Sequence, residues 1–167
     1  MFKTLIHQVA ISFAVAIAII PWMAHARDTS HRLGIGMSDP FVNDVKALSF
    51  KVQSNPSYAF GGLLGVRMEK DSKAHALGLK FYRNIFEEPQ LTFYSSWMAA
   101  MIGEEQSGKS TSGFQTDFTL GTEFSFTGLE SLGFSCEFGI SLYKLENDLS
   151  FATVGNHFIV AGFHFYL

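Results

Sequence analysis

One segment of the chain carries the residues of a phosphate-binding loop. Residues 103–110 read Gly-Glu-Glu-Gln-Ser-Gly-Lys-Ser and satisfy the pattern G-x-x-x-x-G-K-S/T, whose backbone amides cradle phosphates. That chemistry requires a helix after the loop, with the helix N-terminus facing the phosphate. Instead, the chain alternates like a strand from Phe114 onward, and Glu104 and Glu105 would repel an anion. The segment is therefore predicted to be a solvated loop, and no nucleotide is expected as a partner.

Histidines are the second group that could do chemistry. A deacylase-like site would need a histidine and a serine two residues apart on one strand face, and a carboxylate that orients the histidine. The four histidines after residue 26 are His31, His75, His157 and His164, and none has a serine two residues away. His164 is expected to be a hydrogen-bonded core residue that faces inward beside Tyr166. No catalytic residues are recognised, and the protein is expected not to be an enzyme.

Charged residues form the third group, and they alternate with apolar residues along the chain. The members of this group are Lys51, Arg67, Glu69, Lys80, Asp117, Glu123 and Glu137. If the apolar face of each strand looks outward, these side chains point into a barrel. Buried charges cost several kcal/mol each unless they are paired and hydrogen-bonded. The pattern therefore predicts a network of salt bridges that fills the lumen, with Arg67, Glu69 and Asp117 nearer the outer mouth. An ion or proton path is the alternative, although eight strands enclose only enough room for side chains.

The elements that position these residues have a period of two. Even positions from Phe114 to Phe126 are mostly apolar and the odd positions are polar, and the apolar set resumes at even positions from Leu132 to Leu142. A strict period of two predicts a long β-hairpin with one apolar face.

Eight segments of this kind follow residue 26. Their predicted bounds are 32–38, 47–54, 58–69, 74–85, 90–102, 114–126, 132–143 and 156–167. Short turns alternate with longer polar loops at 39–46, 103–111 and 146–155, and the short 70–73 connection is the exception. The pattern predicts an all-β fold, an eight-stranded antiparallel up-and-down transmembrane β-barrel whose two ends lie in the periplasm. Residues 27–167 would form this single domain.

The first 26 residues have the features of a cleavable signal peptide. Lys3 precedes an apolar run of twelve residues from Val9 to Ile20, and Ala24-His25-Ala26 is a small-x-small cleavage site. The apolar run is shorter than the roughly 20 residues of a membrane-spanning helix. We therefore expect export through a Sec-type pathway.

Composition favours lipid over a buried core as the cover for the apolar faces. Only 16% of residues are charged and 18 are Phe, whereas about 25% of residues are charged in a soluble domain. The less apolar faces are mostly Gly, Ser, Thr and Ala, which suit a narrow barrel interior. A secreted soluble barrel with its apolar faces inward is the alternative. The net charge of −3 does not favour nucleic acid as a partner, and the single Cys136 gives neither a disulfide nor a metal cluster. No cofactor is expected.

The signal peptide, the eight alternating strands and the aromatic last strand together resemble the small bacterial outer-membrane β-barrels typified by the OmpA transmembrane domain and OmpX. The resemblance implies a location in the bacterial outer membrane and contact with its lipids. In that family the last strand is recognised by the assembly machinery and usually ends in Phe or Trp, whereas this chain ends in Leu167. The corresponding alternate residues here are Ile159, Ala161, Phe163, Phe165 and Leu167.

Function is less constrained than fold. We expect a role in envelope structure or surface interaction, with the loops 39–46, 103–111 and 146–155 available to partners. A lipid-modifying enzyme of the lipid A deacylase or acyltransferase type and a narrow channel are the alternatives. Trp97, Tyr58, Tyr143 and Tyr166 are candidate anchors at the membrane interface.

Overall fold

The computed structural model describes residues 31–70, 72–145 and 148–167, and the predicted signal peptide at 1–26 lies outside them. The strands are β1 (Leu33–Ser38), β2 (Ala47–Asn55), β3 (Tyr58–Met68), β4 (Ser72–Glu88), β5 (Leu91–Gln106), β6 (Lys109–Phe124), β7 (Leu132–Leu145), β8 (Asp148–Thr153) and β9 (Val160–Tyr166). A short 3-10 turn, Val154–Asn156, separates the last two strands. No helix formed by the described residues is long and apolar enough to cross a membrane.

The strands close into one barrel. Each strand from β1 to β7 pairs antiparallel with the next, and β9 pairs with both β7 and β1. Strand β9 pairs with the N-terminal half of β7 and strand β8 pairs with its C-terminal half. Together β8 and β9 therefore occupy the eighth position of the barrel. The predicted eight-stranded antiparallel up-and-down barrel is confirmed.

The eighth position departs from the predicted continuous strand 156–167. Thr153 pairs with Ile140, but the next paired residue, Val160, lies opposite Glu137, so the intervening chain bends away from the ladder. The bend turns inward, as the full burial of Val154 shows. Gly155 follows with a positive φ of 63°. A Cβ on Gly155 would lie 2.5 Å from the backbone oxygen of Asp39, so this close approach requires glycine.

Two predicted loops are mostly strand. Strand β5 continues to Gln106 and β6 begins at Lys109, leaving a two-residue turn at Ser107 and Gly108, whose φ values of 52° and 81° fit a tight hairpin. The segment that matches the phosphate-loop pattern is thus the end of a hairpin. Likewise β8 begins at Asp148, so the predicted loop 146–155 is wrong over most of its length. Residues 103–111 are polar because they extend past the apolar part of the wall, where strands need no apolar face.

The apolar side chains of the strands point outward. Leu79 is 74% exposed, Phe118 51% and Phe138 50%, while their neighbours Lys80, Asp117 and Glu137 are buried. Leu63, which breaks the alternation of β3, points inward and packs in the core. The outer face of the barrel is therefore mostly apolar, and the buried charges lie inside.

Candidate functional site in the barrel lumen

Two ion pairs cross the middle of the lumen. The Lys51 Nζ lies 2.9 Å from the Glu123 Oε2, and the Lys80 Nζ lies 2.5 Å from the Glu137 Oε2. All four side chains are at most 7% exposed. Since β2, β4, β6 and β7 supply one residue each, the pairs tie opposite walls of the barrel together.

Tyrosines complete the hydrogen bonding of both carboxylates. Tyr94 donates to Glu137 at 2.8 Å and Tyr166 donates to Glu123 at 2.8 Å. The Lys51 Nζ also lies 4.7 Å from the centroid of the Tyr82 ring, within the range of a cation–π contact. Charge-assisted hydrogen bonds of this kind compensate buried carboxylates for lost water. The cluster fills the lumen at mid-height.

A glycine makes room for one of these tyrosines. A Cβ on Gly121 would lie 2.8 Å from the Tyr94 ring and 2.8 Å from the Glu137 side chain. The inner face of β6 is therefore left bare where β5 and β7 send their large side chains across it. Packing therefore explains why a glycine lies between Thr119 and Glu123 on the inner face of β6.

The β1–β2 connection, residues 39–46, folds into the barrel and is called the plug below. Phe41 and Val45 are 0% and 1% exposed, and Val42 and Asn43 are also buried. The prediction that this loop is available to partners is wrong. In an open loop, the side chains of Phe41, Val42 and Val45 would be exposed to water. The half of the lumen away from the chain termini, called the far half below, offers them an apolar site.

The wall around the plug is made of small and apolar residues. The core cluster comprises Phe41, Val42, Ala47, Leu63, Ala76, Met98, Ala100 and Ile102, with Tyr143 and Leu145 packed against it. Space is provided by glycine as well, because a Cβ on Gly65 would lie 2.6 Å from the Val45 Cγ1. The far half of the lumen is therefore filled as a small hydrophobic core.

Gln115 fixes the backbone of the plug. Its Oε1 accepts from the Val42 amide at 3.0 Å, and its Nε2 donates to the Pro40 carbonyl oxygen at 2.9 Å. The same Nε2 lies 2.9 Å from the Asp117 Oδ2, which orients the amide. Asp117 thus contacts the plug through Gln115, and it forms no ion pair with a lysine or arginine among the described residues.

Arg67 and Glu69 lie at the outer rim. The Arg67 Nη1 donates to the backbone oxygen of Asp44 at 3.2 Å, and its Nε lies 3.7 Å from the Glu69 Oε1. Glu69 is 65% exposed, so it belongs to the rim and not to the buried cluster. The seven predicted residues accordingly form two buried pairs, one plug contact and one rim pair.

His164 belongs to a serine–histidine–glutamate arrangement that spacing along the chain does not predict, because its members lie on three different strands. The Ser49 Oγ lies 2.9 Å from the His164 Nε2, and the Glu123 Oε2 lies 3.9 Å from the His164 Nδ1. The second distance is too long for a hydrogen bond. Ser49 is only 1% exposed, which leaves its hydroxyl no contact with a substrate. His164 is the hydrogen-bonded core histidine that was expected.

Two of the predicted interfacial anchors are wrong. Tyr166 is 2% exposed and points inward to Glu123, and Tyr143 packs in the core around the plug. Both occupy inner positions of their strands, which are odd in β7 and even in β9, and this parity was the signal that could have identified them. Tyr58 and Trp97 do point outward.

Among the described residues, no group of three or more His, Cys, Asp and Glu side chains could hold a metal ion. Cys136 is a free thiol on the outer face. The lumen site therefore consists of paired charges, tyrosines and the plug.

No protein-family model and no curated protein matches the chain. The structure is similar to the crystal structure of the N-terminal beta-barrel domain of Pseudomonas aeruginosa OprF, with a TM-score of 0.53 and 11% sequence identity. The match covers 83% of this chain and 98% of that chain. At this identity the likeness establishes the fold, a closed β-barrel of eight antiparallel strands.

Proposed function

We propose that the protein is a small outer-membrane β-barrel with a closed lumen, serving envelope structure or surface interaction and not transport. The observation that carries this proposal is the arrangement of charge and apolar surface. Buried lysines and glutamates occupy the lumen, and large apolar side chains cover the outside. A water-soluble protein rarely exposes so large an apolar surface, whereas a membrane barrel needs one.

The outer band extends around the barrel. Phe60 on β3, Leu79 on β4, Phe118 on β6, Phe138 on β7 and Phe165 on β9 are each at least half exposed. The apolar band of outer-membrane barrels is about 25 Å tall. Strands of 14 to 17 residues, such as β4 to β7, are long enough to cross such a band at a tilt and continue beyond it.

The last strand supports delivery to the outer membrane. Ile159, Phe163, Phe165 and Leu167 are exposed on the outer face, and Ala161 lies between them on the same face. Together with the predicted signal peptide, this row suits recognition by the assembly machinery. The hairpin tips, and not the plug, are then the surfaces available to partners outside the membrane.

Fluorescence of Trp97 tests the membrane proposal. Trp97 is the only tryptophan of residues 27–167 and lies on the outer face. We expect lipids with brominated acyl chains to quench Trp97 in vesicles that contain the folded barrel. The control is Trp97→Phe/Tyr143→Trp, whose tryptophan lies inside the lumen and is expected to escape quenching. Equal quenching of the two probes, or quenching of the inner probe alone, would contradict the proposal.

A further inference from the structure

An arginine interrupts the outer apolar band. Arg83 is exposed on β4, between Phe81 and Ile85 on the same outer face. Its side chain forms no ion pair with another residue in the described part of the chain. A charged side chain on the lipid face is strongly disfavoured at the bilayer midplane and is tolerated near the interface. An unpaired arginine on this face is therefore expected near the interface, where its guanidinium can meet polar or anionic groups.

The register places Arg83 near the end of the barrel that carries the chain termini. Arg83 pairs with Tyr58, the first residue of β3, which directly follows the turn from β2. On its other side it pairs with Ser95 of β5. Tyr58 points outward, as an aromatic residue at a membrane interface does. The guanidinium is thus within reach of lipid headgroups of the periplasmic leaflet.

An apolar groove of about 500 Å³ begins at Arg83. Ser95 is the small residue between Phe93 and Trp97 on the outer face of β5, so the outer surface of the barrel is recessed at this point. The larger side chains around the groove include Phe81, Trp97, Phe118, Leu120, Phe138 and Ile140. One end of the groove therefore carries a cation and a hydroxyl, and the remainder is lined by aromatic and aliphatic side chains.

We propose that this groove binds one anionic glycerophospholipid, with its phosphate on Arg83 and an acyl chain along Trp97 and Phe138. An arginine binds the phosphate of a lipid through two parallel N–H donors. Its charge favours an anionic lipid over phosphatidylethanolamine, whose ammonium group offsets the phosphate charge. The rest of the groove suits an acyl chain of the lipid, because its aromatic and aliphatic lining offers mainly dispersion contacts. This inference rests on the proposed membrane location and adds a specific lipid site to it.

Trp97 lines the groove and reports its occupant. The barrel is reconstituted in two sets of phosphatidylethanolamine vesicles that contain phosphatidylglycerol as the minor lipid, with brominated chains on one lipid or on the other. We expect brominated phosphatidylglycerol to quench Trp97 more than its mole fraction predicts. Arg83→Gln should lower this preference about five-fold, the effect of one basic residue at an anionic lipid. Arg83→Lys should retain part of it.

Two further variants separate the groove from general charge. Ser95→Leu fills the groove and keeps Arg83, so the preference should fall. Lys144→Gln removes a cation from the opposite end of the outer face, and the preference should persist. Inorganic phosphate in the buffer should not reduce the preference, and if it does, the site binds free phosphate and the lipid proposal is overturned.

The outcomes also separate the two proposals. Quenching that follows mole fraction in the wild-type barrel, or an equal effect of Arg83→Gln and Lys144→Gln, overturns the lipid site and leaves the membrane proposal intact. No quenching by either brominated lipid in any variant overturns both.

Discussion

At the scale of single residues, the lumen depends on pairing each buried charge. Lys80 and Glu137 are 5% and 7% exposed, and Tyr94 and Thr119 supply further hydrogen bonds to the carboxylate. A pair of this kind contributes little net stability compared with apolar residues, but breaking it leaves one charge buried without compensation. Effects on stability should therefore differ sharply between single and double substitutions.

We expect Glu137→Ala to lower the free energy of unfolding by about 3–5 kcal/mol, because Lys80 loses its carboxylate. Denaturant unfolding in lipid vesicles measures the change. The double variant Lys80→Met/Glu137→Leu should recover most of the loss. Glu69→Ala is the control, since this exposed rim carboxylate should change stability by at most about 1 kcal/mol. A small effect of Glu137→Ala would show that the pair is not buried.

Phe138 tests the outer face at the same scale. We expect Phe138→Arg to destabilise the barrel by about 2–4 kcal/mol, because the charge would lie in the hydrocarbon region. Leu149→Arg is the matched control, since Leu149 also points outward but lies near the tip of the β7–β8 hairpin. Its cost should be at most about 1 kcal/mol. Equal costs in vesicle unfolding would contradict the predicted depth of the two sites.

At the scale of elements, the plug is the part of the lumen that the sequence pattern did not predict. A period of two identifies strands, and it carries no information about where a connection folds. The signals were present in the plug itself, because Phe41, Val42 and Val45 are apolar, and in Ala76, Ala100 and Gly65 on the facing wall. These signals are recognised only once the strands have been set in register.

Strand ends were mispredicted for a related reason. Residues 103–106 and 109–111 belong to a segment that was interpreted as a polar loop, yet they pair along β5 and β6. Outside the apolar band a strand can expose either face to water, so its sequence lacks the alternation that marks the rest. The inward charges were predictable from parity alone, whereas their tyrosine partners required knowledge of the neighbouring strands.

The hydrogen bonds of Gln115 should determine how firmly the plug is held. Gln115→Ala removes the side-chain hydrogen bonds to the Val42 amide and the Pro40 oxygen, which costs about 1–3 kcal/mol. We expect faster hydrogen exchange of the Val42 amide, with the strands of the barrel unchanged. Gln106→Ala, at the exposed hairpin tip, is the control and should leave Val42 unaffected. Unchanged exchange at Val42 in the Gln115 variant would contradict this role.

At the scale of the whole molecule, the lumen is closed at two levels. The plug fills the far half, and the paired charges with their tyrosines fill the middle. Opening one level leaves the other in place.

We therefore expect no steady conductance from the wild-type barrel in planar bilayers, and none from Gln115→Ala. A wide barrel of known conductance, reconstituted in the same way, controls for insertion. Steady single-channel currents from the wild-type barrel would show that the lumen is open and would favour the narrow channel.

Each function proposed for the barrel requires its outer apolar band to face lipid. The most direct measurement is sedimentation of refolded residues 27–167 with and without detergent. We predict a folded monomer in detergent micelles and aggregation when the detergent is removed, because side chains such as Leu79 and Phe138 would then meet water. A compact, folded monomer in detergent-free buffer would contradict the proposal that the outer apolar band faces lipid.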